Sequence, residues 1–288
     1  MSYDLSGKVY VVTGSSTGIG RSIAINLAKH GANVVLHGRK PSDSLSEVAS
    51  QIQTYGSESH QLYADFSELS ALAPLVDSAW DWKGRIDGWI NNAGGDVLTG
   101  NWKDRPFDEK LDYLLKTDVS ATLMLCRGVG KKMFDRFENL SVDSASAASS
   151  PLDSSSTESS TGVIINIGWD QAWQGMEGDS GELFATTKGA IMAMTKSLAQ
   201  TFAPHVRVNC IAPGWIETKW GQQTSAYWDQ RAKSESLMNR WGSPADVAST
   251  ALFLCSPAAS FISGHILPVN GGFRYSANHS RDITNDPY

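Results

Sequence analysis

The chain has 288 residues, 24 Lys and Arg against 30 Asp and Glu, a formal charge of −6 and 41% hydrophobic residues. That length is ample for a sizeable core, and mild acidity without any basic run excludes a nucleic-acid surface, which needs clustered cations. No apolar stretch approaches the roughly 20 residues of a membrane helix, no signal peptide is visible at Met1–Lys8, and Cys126, Cys210 and Cys255 lack metal-ligand spacing; together these imply a reduced, cytoplasmic setting without a metal.

In chain order, apolar strand-like runs alternate with stretches of helical period. Strands are expected at Val9–Val12, Asn33–Leu36, Gln61–Tyr63, Gly88–Ile90, Val163–Ile167, Arg207–Ile211 and Ile266–Val269. Helices are expected at Gly18–His30, Asp43–Tyr55, Leu69–Trp80, Phe107–Phe137, Leu183–Phe202 and Pro244–Leu254. Continuous apolar strands imply burial on both faces. The fold class is therefore α/β, a doubly wound, seven-stranded parallel sheet of Rossmann type in a single domain spanning residues 1–288. Two segments stand apart. Residues 140–161 carry ten Ser, two Thr and three acids but no Lys or Arg, a composition expected to be disordered. Residues 273–288 form a polar tail without a period.

The first strand runs into Thr13-Gly14-Ser15-Ser16-Thr17-Gly18-Ile19-Gly20 and then a helix. Gly14 permits the sharp turn, Gly18 lets backbone approach a pyrophosphate, and Gly20 permits close helix–strand packing. The phosphates would rest on the helix N-terminus, where unpaired N–H groups and the dipole favour anions. The second strand ends His37-Gly38-Arg39-Lys40, without an acid to accept from a ribose 2′-OH. A guanidinium there suits a 2′-phosphate, so Arg39 favours NADP, with NAD as the alternative.

Further motifs follow at ordered positions: Asp65 with Phe66 after the third strand, Asn91-Asn92-Ala93-Gly94 closing the fourth, Pro213-Gly214 after the sixth, and Asn270-Gly271-Gly272. With the glycine cradle, this set resembles the short-chain dehydrogenase/reductase family from Leu5 to Gly272. The resemblance implies that Asp65 meets the adenine, that Asn92, Ala93 and Gly94 wall its ribose, and that Ile216 and Thr218 meet the nicotinamide carboxamide. It also implies a homodimer or homotetramer, pairing long helices on which Leu123, Leu125, Ile191 and Met194 fit either an interface or the core.

The family's proton transfer uses a Tyr-x-x-x-Lys pair, a Ser after the fifth strand and an Asn on the preceding helix. Here the helix reads Phe184-Ala185-Thr186-Thr187-Lys188, so Lys188 is kept and Phe184 replaces the Tyr. Trp169 stands for the Ser and Asp118 for the Asn; no tyrosine lies between Tyr113 and Tyr227 to substitute. Loss of a positioned acid costs on the order of 10²–10⁴ in rate. Asp170, at the mouth of the sheet, is a candidate acid if desolvation raises its pKa, although a loop-capping carboxylate is equally in keeping. Glu177, Asp179, Glu182 and Tyr227 are further candidates, and Asp118 suits an ion pair with Lys188.

Trp169, Trp173, Trp215, Trp220, Trp228 and Trp241 lie in segments that the resemblance places around the substrate cleft. Flat aromatic walls suit sugar, aromatic or steroid-like carbonyl or alcohol substrates. The expected function is an NADP-dependent oxidoreductase, of ketoacyl-thioester reductase type or acting on a sugar or aromatic carbonyl, with a non-standard proton relay. The alternative is a non-catalytic NADP-binding or sensing protein.

Overall fold

The computed structural model describes residues 3–147, 161–218, 221 and 224–274. The expected apolar runs become strands β1 (Val9–Val12), β2 (Asn33–Gly38), β3 (Ser59–Tyr63), β4 (Gly88–Asn91), β5 (Gly162–Ile167), β6 (Val206–Pro213) and β7 (Ile266–Val269). They form one all-parallel sheet in the order β3-β2-β1-β4-β5-β6-β7. Because side chains alternate along a strand, β1, β2, β4, β5 and β6 each feed two cores. On β5, Val163, Ile165 and Ile167 face one core and Ile164 the other.

The first core is closed by α1 (Gly18–Lys29), α2 (Asp43–Gln53) and α9 (Pro244–Cys255), through Ile23 and Leu27, Leu45 and Val48, and Val247 and Ala251. The second is closed by α3 (Leu72–Asp81), α5 (Ala121–Ala147) and α7 (Asp179–Phe202), through Leu75, Leu125, Met133 and Phe202. β1 pairs with β2 on one side and β4 on the other. The crevice at their carboxyl ends is where open α/β sheets bind ligands. No helix among the described residues is long and apolar enough to cross a membrane.

Several details depart from the sequence expectation. The helix expected over Phe107–Phe137 is α4 (Phe107–Leu114), a π turn at Leu115–Ser120, and then α5. α5 runs on to Ala147, so the first residues of the serine-rich segment are helical. Extending an existing helix needs no new nucleus, and Ala145 and Ala147 favour it. Residues 148–160 and 275–288 lie outside the described residues. α7 begins at Asp179 rather than Leu183, its first turn holding Asp179 and Glu182, where acids complement the dipole. Short α6 (Gln171–Gln174) and α8 (Ala226–Glu235) were not expected; α8 is polar around most of its circumference. Leu125 and Ile191 are core residues, Met194 packs partly against the core, and Leu123 is exposed.

Gly88 leaves room for the side chains of its neighbours on the adjacent strands, Tyr10 on β1 and Val163 on β5. A Cβ there would lie 2.4 Å from the Tyr10 ring and 2.9 Å from Val163 Cγ1. The Tyr10 hydroxyl is itself tied to the Cys255 carbonyl at 3.1 Å. Gly88→Ala is therefore expected to cost about 1–3 kcal/mol by overpacking, seen as a lower urea midpoint; an unchanged midpoint would refute it.

Candidate active site

Two cavities lie along the carboxyl edge of the sheet. The first, about 730 Å³, is lined by Gly14, Ser16, Thr17, His37, Arg39, Asp65, Phe66, Asn92, Ala93 and Gly94. Gly14 and Gly18 adopt φ of +62° and +57°, conformations that favour glycine. Gly20 lines neither cavity: a Cβ there would sit 2.3 Å from the Gly14 carbonyl oxygen, so it holds α1 against the strand end. Ser15 also turns inward, its hydroxyl accepting from the His37 amide at 2.9 Å. Asn92 secures the cradle from the other side, donating to the carbonyls of Thr13 and Gly14. Asp65 accepts from the amide and hydroxyl of Ser67, which fixes its carboxylate at the rim.

His37 and the Trp102–Tyr113 pair escaped the sequence reading. His37 Nδ1 accepts from the Gly14 amide at 3.2 Å, and Nε2 lies 3.1 Å from the Ala64 carbonyl, which makes Nε2 the protonated nitrogen. Burial pushes its pKa down to about 4, so the ring stays neutral and bridges the cradle to the end of β3. Phe66 stacks on it at 4.6 Å. Trp102 and Tyr113, stacked at 4.1 Å, line the opposite side. No motif announces these residues; only their convergence in space does.

The second cavity, about 510 Å³, is mostly apolar. Ile19, Lys188, Pro213, Gly214, Ile216 and Thr218 lie on it together, as does Phe184. Trp169, Trp215, Trp228 and Trp241 form its walls; Trp173 points away at 51% exposure, and Trp220 lies outside the described residues. Ile167 and Gly168 at the end of β5 line it too, and Leu98, Met176 and Ser180 do so without having been expected. Ser180, Phe184 and Lys188 are spaced by four on α7 and so share one face. Phe184 meets Trp169 edge to face at 6.3 Å. The indole N–H groups of Trp215 and Trp241 donate to Glu235 at 2.7 Å and Asp229 at 2.9 Å, which anchors both rings to α8. Arg231, also on α8, pairs with Glu235 and with Glu177 and lies over Trp228 at 5.3 Å.

Lys188 Nζ lies 2.9 Å from Asp118 Oδ2, and these side chains are 15% and 1% exposed. Asp118 sits in the π turn, and its Oδ1 accepts from the Gly95 amide at 2.6 Å. The Lys188 contact falls outside hydrogen-bond geometry. The attraction is thus one of charge, and the ammonium keeps N–H donors for other acceptors. Among the described residues no cluster has the makings of a metal site.

Asp170 is placed differently from the expectation. It is 3% exposed and does not line the cleft. Its Oδ2 accepts from Asn270 Nδ2 at 2.9 Å beneath Gly214, while Oδ1 has no aligned partner. Burial does raise its pKa, to about 6, against the lowering effect of Asn270. Glu177, Asp179, Glu182 and Tyr227 are likewise not among the cleft's lining residues. Since the Asp170 pKa rises from 3.8 to about 6 on folding, the folded chain holds a proton that the unfolded chain has released between these values. Stability should fall by up to about 3 kcal/mol as pH rises through this window and then level off. Urea melts from pH 4 to 7 should show that fall, and Asp170→Asn should flatten it; an equal slope in both proteins would contradict the placement.

A family profile described as enoyl-(acyl carrier protein) reductase matches residues 14–149 and 129–274. The 3-oxoacyl-(acyl-carrier-protein) reductase FabG of Aquifex aeolicus is 32% identical over 94% of this chain and 99% of its own length. A 7α-hydroxysteroid dehydrogenase complexed with NADH and 7-oxo glycochenodeoxycholic acid superimposes with a TM-score of 0.79 at 29% identity, covering 94% of this chain and 96% of the other. A 3-oxoacyl (acyl-carrier-protein) reductase from Agrobacterium tumefaciens C58 with NADP bound gives 0.77 at 28% identity, with the same coverage. The glycine cradle, the strand order and these likenesses agree: the chain belongs to the short-chain dehydrogenase/reductase family.

Proposed function

We propose that the protein is an NADP-dependent oxidoreductase interconverting a flat, largely apolar carbonyl compound and its alcohol. The observation that carries this reading is the succession of the two cavities, from the glycine cradle past Gly18 and Thr218 to a tryptophan-walled cleft with Lys188 on its wall. The names of these three relatives, two reductases and a dehydrogenase, support the reaction class.

The residues present fit a nicotinamide dinucleotide. The first turn of α1 holds no acid, so its N–H groups and dipole are open to a pyrophosphate between Gly14 and Gly18. Ser16 and Thr17 flank that path, and Asp65, Phe66, Ala93 and Gly94 bound the adenosine end. Lys188 holds the nicotinamide ribose, and Pro213, Gly214, Ile216 and Thr218 bound the ring. NADPH, when bound, supplies a hydride to the carbonyl carbon. The protein's own work is to exclude water with its tryptophans, to seat a flat substrate between them, and to offer positive potential at the developing alkoxide through Lys188.

Arg39 lines the first cavity and makes no ion pair among the described residues, which suits it to a 2′-phosphate. The exposed Leu115, Leu123 and Met124 suit pairing with a second copy, as a homodimer or homotetramer. Steady-state oxidation of NADPH with flat aromatic ketones, sugars and ketoacyl thioesters tests the reaction class. Turnover is expected with the flat apolar ketones. Tight NADPH binding without turnover on any carbonyl would instead leave a nucleotide-binding protein. Arg39→Ala should raise the NADPH KM about 10–100-fold, the loss of about 1.5–3 kcal/mol expected of a charge-assisted contact. NADH kinetics should be unchanged; an equal effect on both nucleotides would sink the assignment.

A further inference from the structure

The tryptophan-walled cleft poses a chemical question: reduction of a carbonyl needs a proton at oxygen, and the position that would bear a phenol is Phe184. Among the described residues lining the cleft, Lys188 is the one ionisable side chain. The other protic groups there are the hydroxyls of Ser180 and Thr218 and indole N–H groups, none of which yields a net proton near neutrality. Asp118 cannot substitute, since it is 1% exposed and acts as an acceptor for the Gly95 amide. Asp170 is walled off behind Gly214. Lys188 is placed to act as an acid: its side chain reaches the cleft, and a developing alkoxide is basic enough to take a proton from an ammonium.

Resting on the oxidoreductase reading, we propose that Lys188 donates the proton directly to the substrate oxygen. The carbonyl carbon gains a C–H bond from the reduced nicotinamide, and the C=O π pair moves onto oxygen. That oxygen takes a proton from Lys188 Nζ, so one N–H bond breaks and one O–H bond forms. Lys188 is left as a neutral amine beside Asp118 and regains its proton from water. In sum, carbonyl, NADPH and one proton give alcohol and NADP⁺. Replacing the phenol by a phenyl ring takes away the intermediary that would otherwise stand one helical turn nearer the substrate. Phe184 then acts as a wall, packing on Trp169 and on the Val97–Leu114–Leu183 cluster.

The test uses the full chain with NADPH and 1-tetralone as the probe ketone. Lys188→Ala should bind NADPH within about tenfold of the wild type by fluorescence titration while turnover falls on the order of 10²–10⁴-fold. Added alkylammonium ions should restore turnover, the more acidic ammonium ions restoring it better. Lys188→Arg keeps a charge beside Asp118 but has no proton to release, so it should be as slow as the alanine variant. A readout independent of turnover is acetylation of Lys188 by acetic anhydride, followed by mass spectrometry, in protein loaded with NADP⁺. Here 1-tetralone should protect Lys188. An Arg variant at the wild-type rate, rescue that ignores ammonium acidity, or no protection by 1-tetralone would each overturn the proposal. Absence of wild-type turnover on every carbonyl, with Lys188 still protected, would instead count against the oxidoreductase reading and leave Lys188 correctly placed at the cleft.

Discussion

A carboxylate at 1% exposure needs a cation, and the ion pair of Asp118 with Lys188 is the contact on which the rest of the site depends. Losing one partner of a buried pair typically costs about 3–5 kcal/mol, because the remaining charge is stranded. The pair joins the start of the α5 run to the middle of α7, and through Gly95 it also fixes the loop after β4. A Cβ on neighbouring Gly94 would come within 3.1 Å of the same carboxylate, so the Gly94 wall of the first cavity and the cleft wall share one anchor. The π turn at Leu115–Ser120 belongs to this device. One extra residue in a helical turn rotates the next turn about the helix axis, and such bulges are common at functional sites. Here it sets Asp118 between a backbone amide and an ammonium.

The tryptophan cleft follows the same economy. Four indoles from four separate segments would be loose if each relied only on stacking. Two are tied by their N–H groups to acids of α8, and Arg231 lies over a third while bridging Glu235 and Glu177. Polar bonds thus run behind the rings, and apolar faces are turned to the cavity. This arrangement satisfies the polar tips of Trp215 and Trp241 while leaving a lining suited to flat, uncharged ligands.

The parallel sheet and the cradle were legible because they rest on period and on glycine. A strand buried on both faces has to read as a continuous apolar run, as Val163-Ile164-Ile165 does, and Gly14 and Gly18 occupy backbone conformations that few other residues adopt. Orientation was the part that could not be read. Ser15 and Ser16 are adjacent and chemically alike, yet one faces inward to His37 and the other faces the cavity. Among the tryptophans, Trp169 walls the cleft and Trp173, one turn later on a short helix, does not. α8 escaped because its polar sequence carries no apolar stripe; its stability comes from the ion pairs and indoles it meets in the fold. The helical start of the serine-rich segment escaped for the opposite reason, since composition averages over a boundary that helix propagation crosses.

Asp170 and Lys188 differ in the property by which an acid is recognised. Asp170 has the feature that acid catalysts share, a carboxyl whose pKa burial raises to about 6. Its surroundings explain that feature without catalysis: Asn270 accounts for one oxygen, Gly214 blocks the way to the cleft, and the same desolvation that raises the pKa also removes it from any substrate. Lys188 instead stands at the cleft wall with its charge secured from behind. A proton must cross a hydrogen bond to reach its acceptor, so reach takes precedence over acidity. In the reaction we propose, Lys188, one turn behind Phe184, gives the proton, and the buried Asp118 fixes where its ammonium stands.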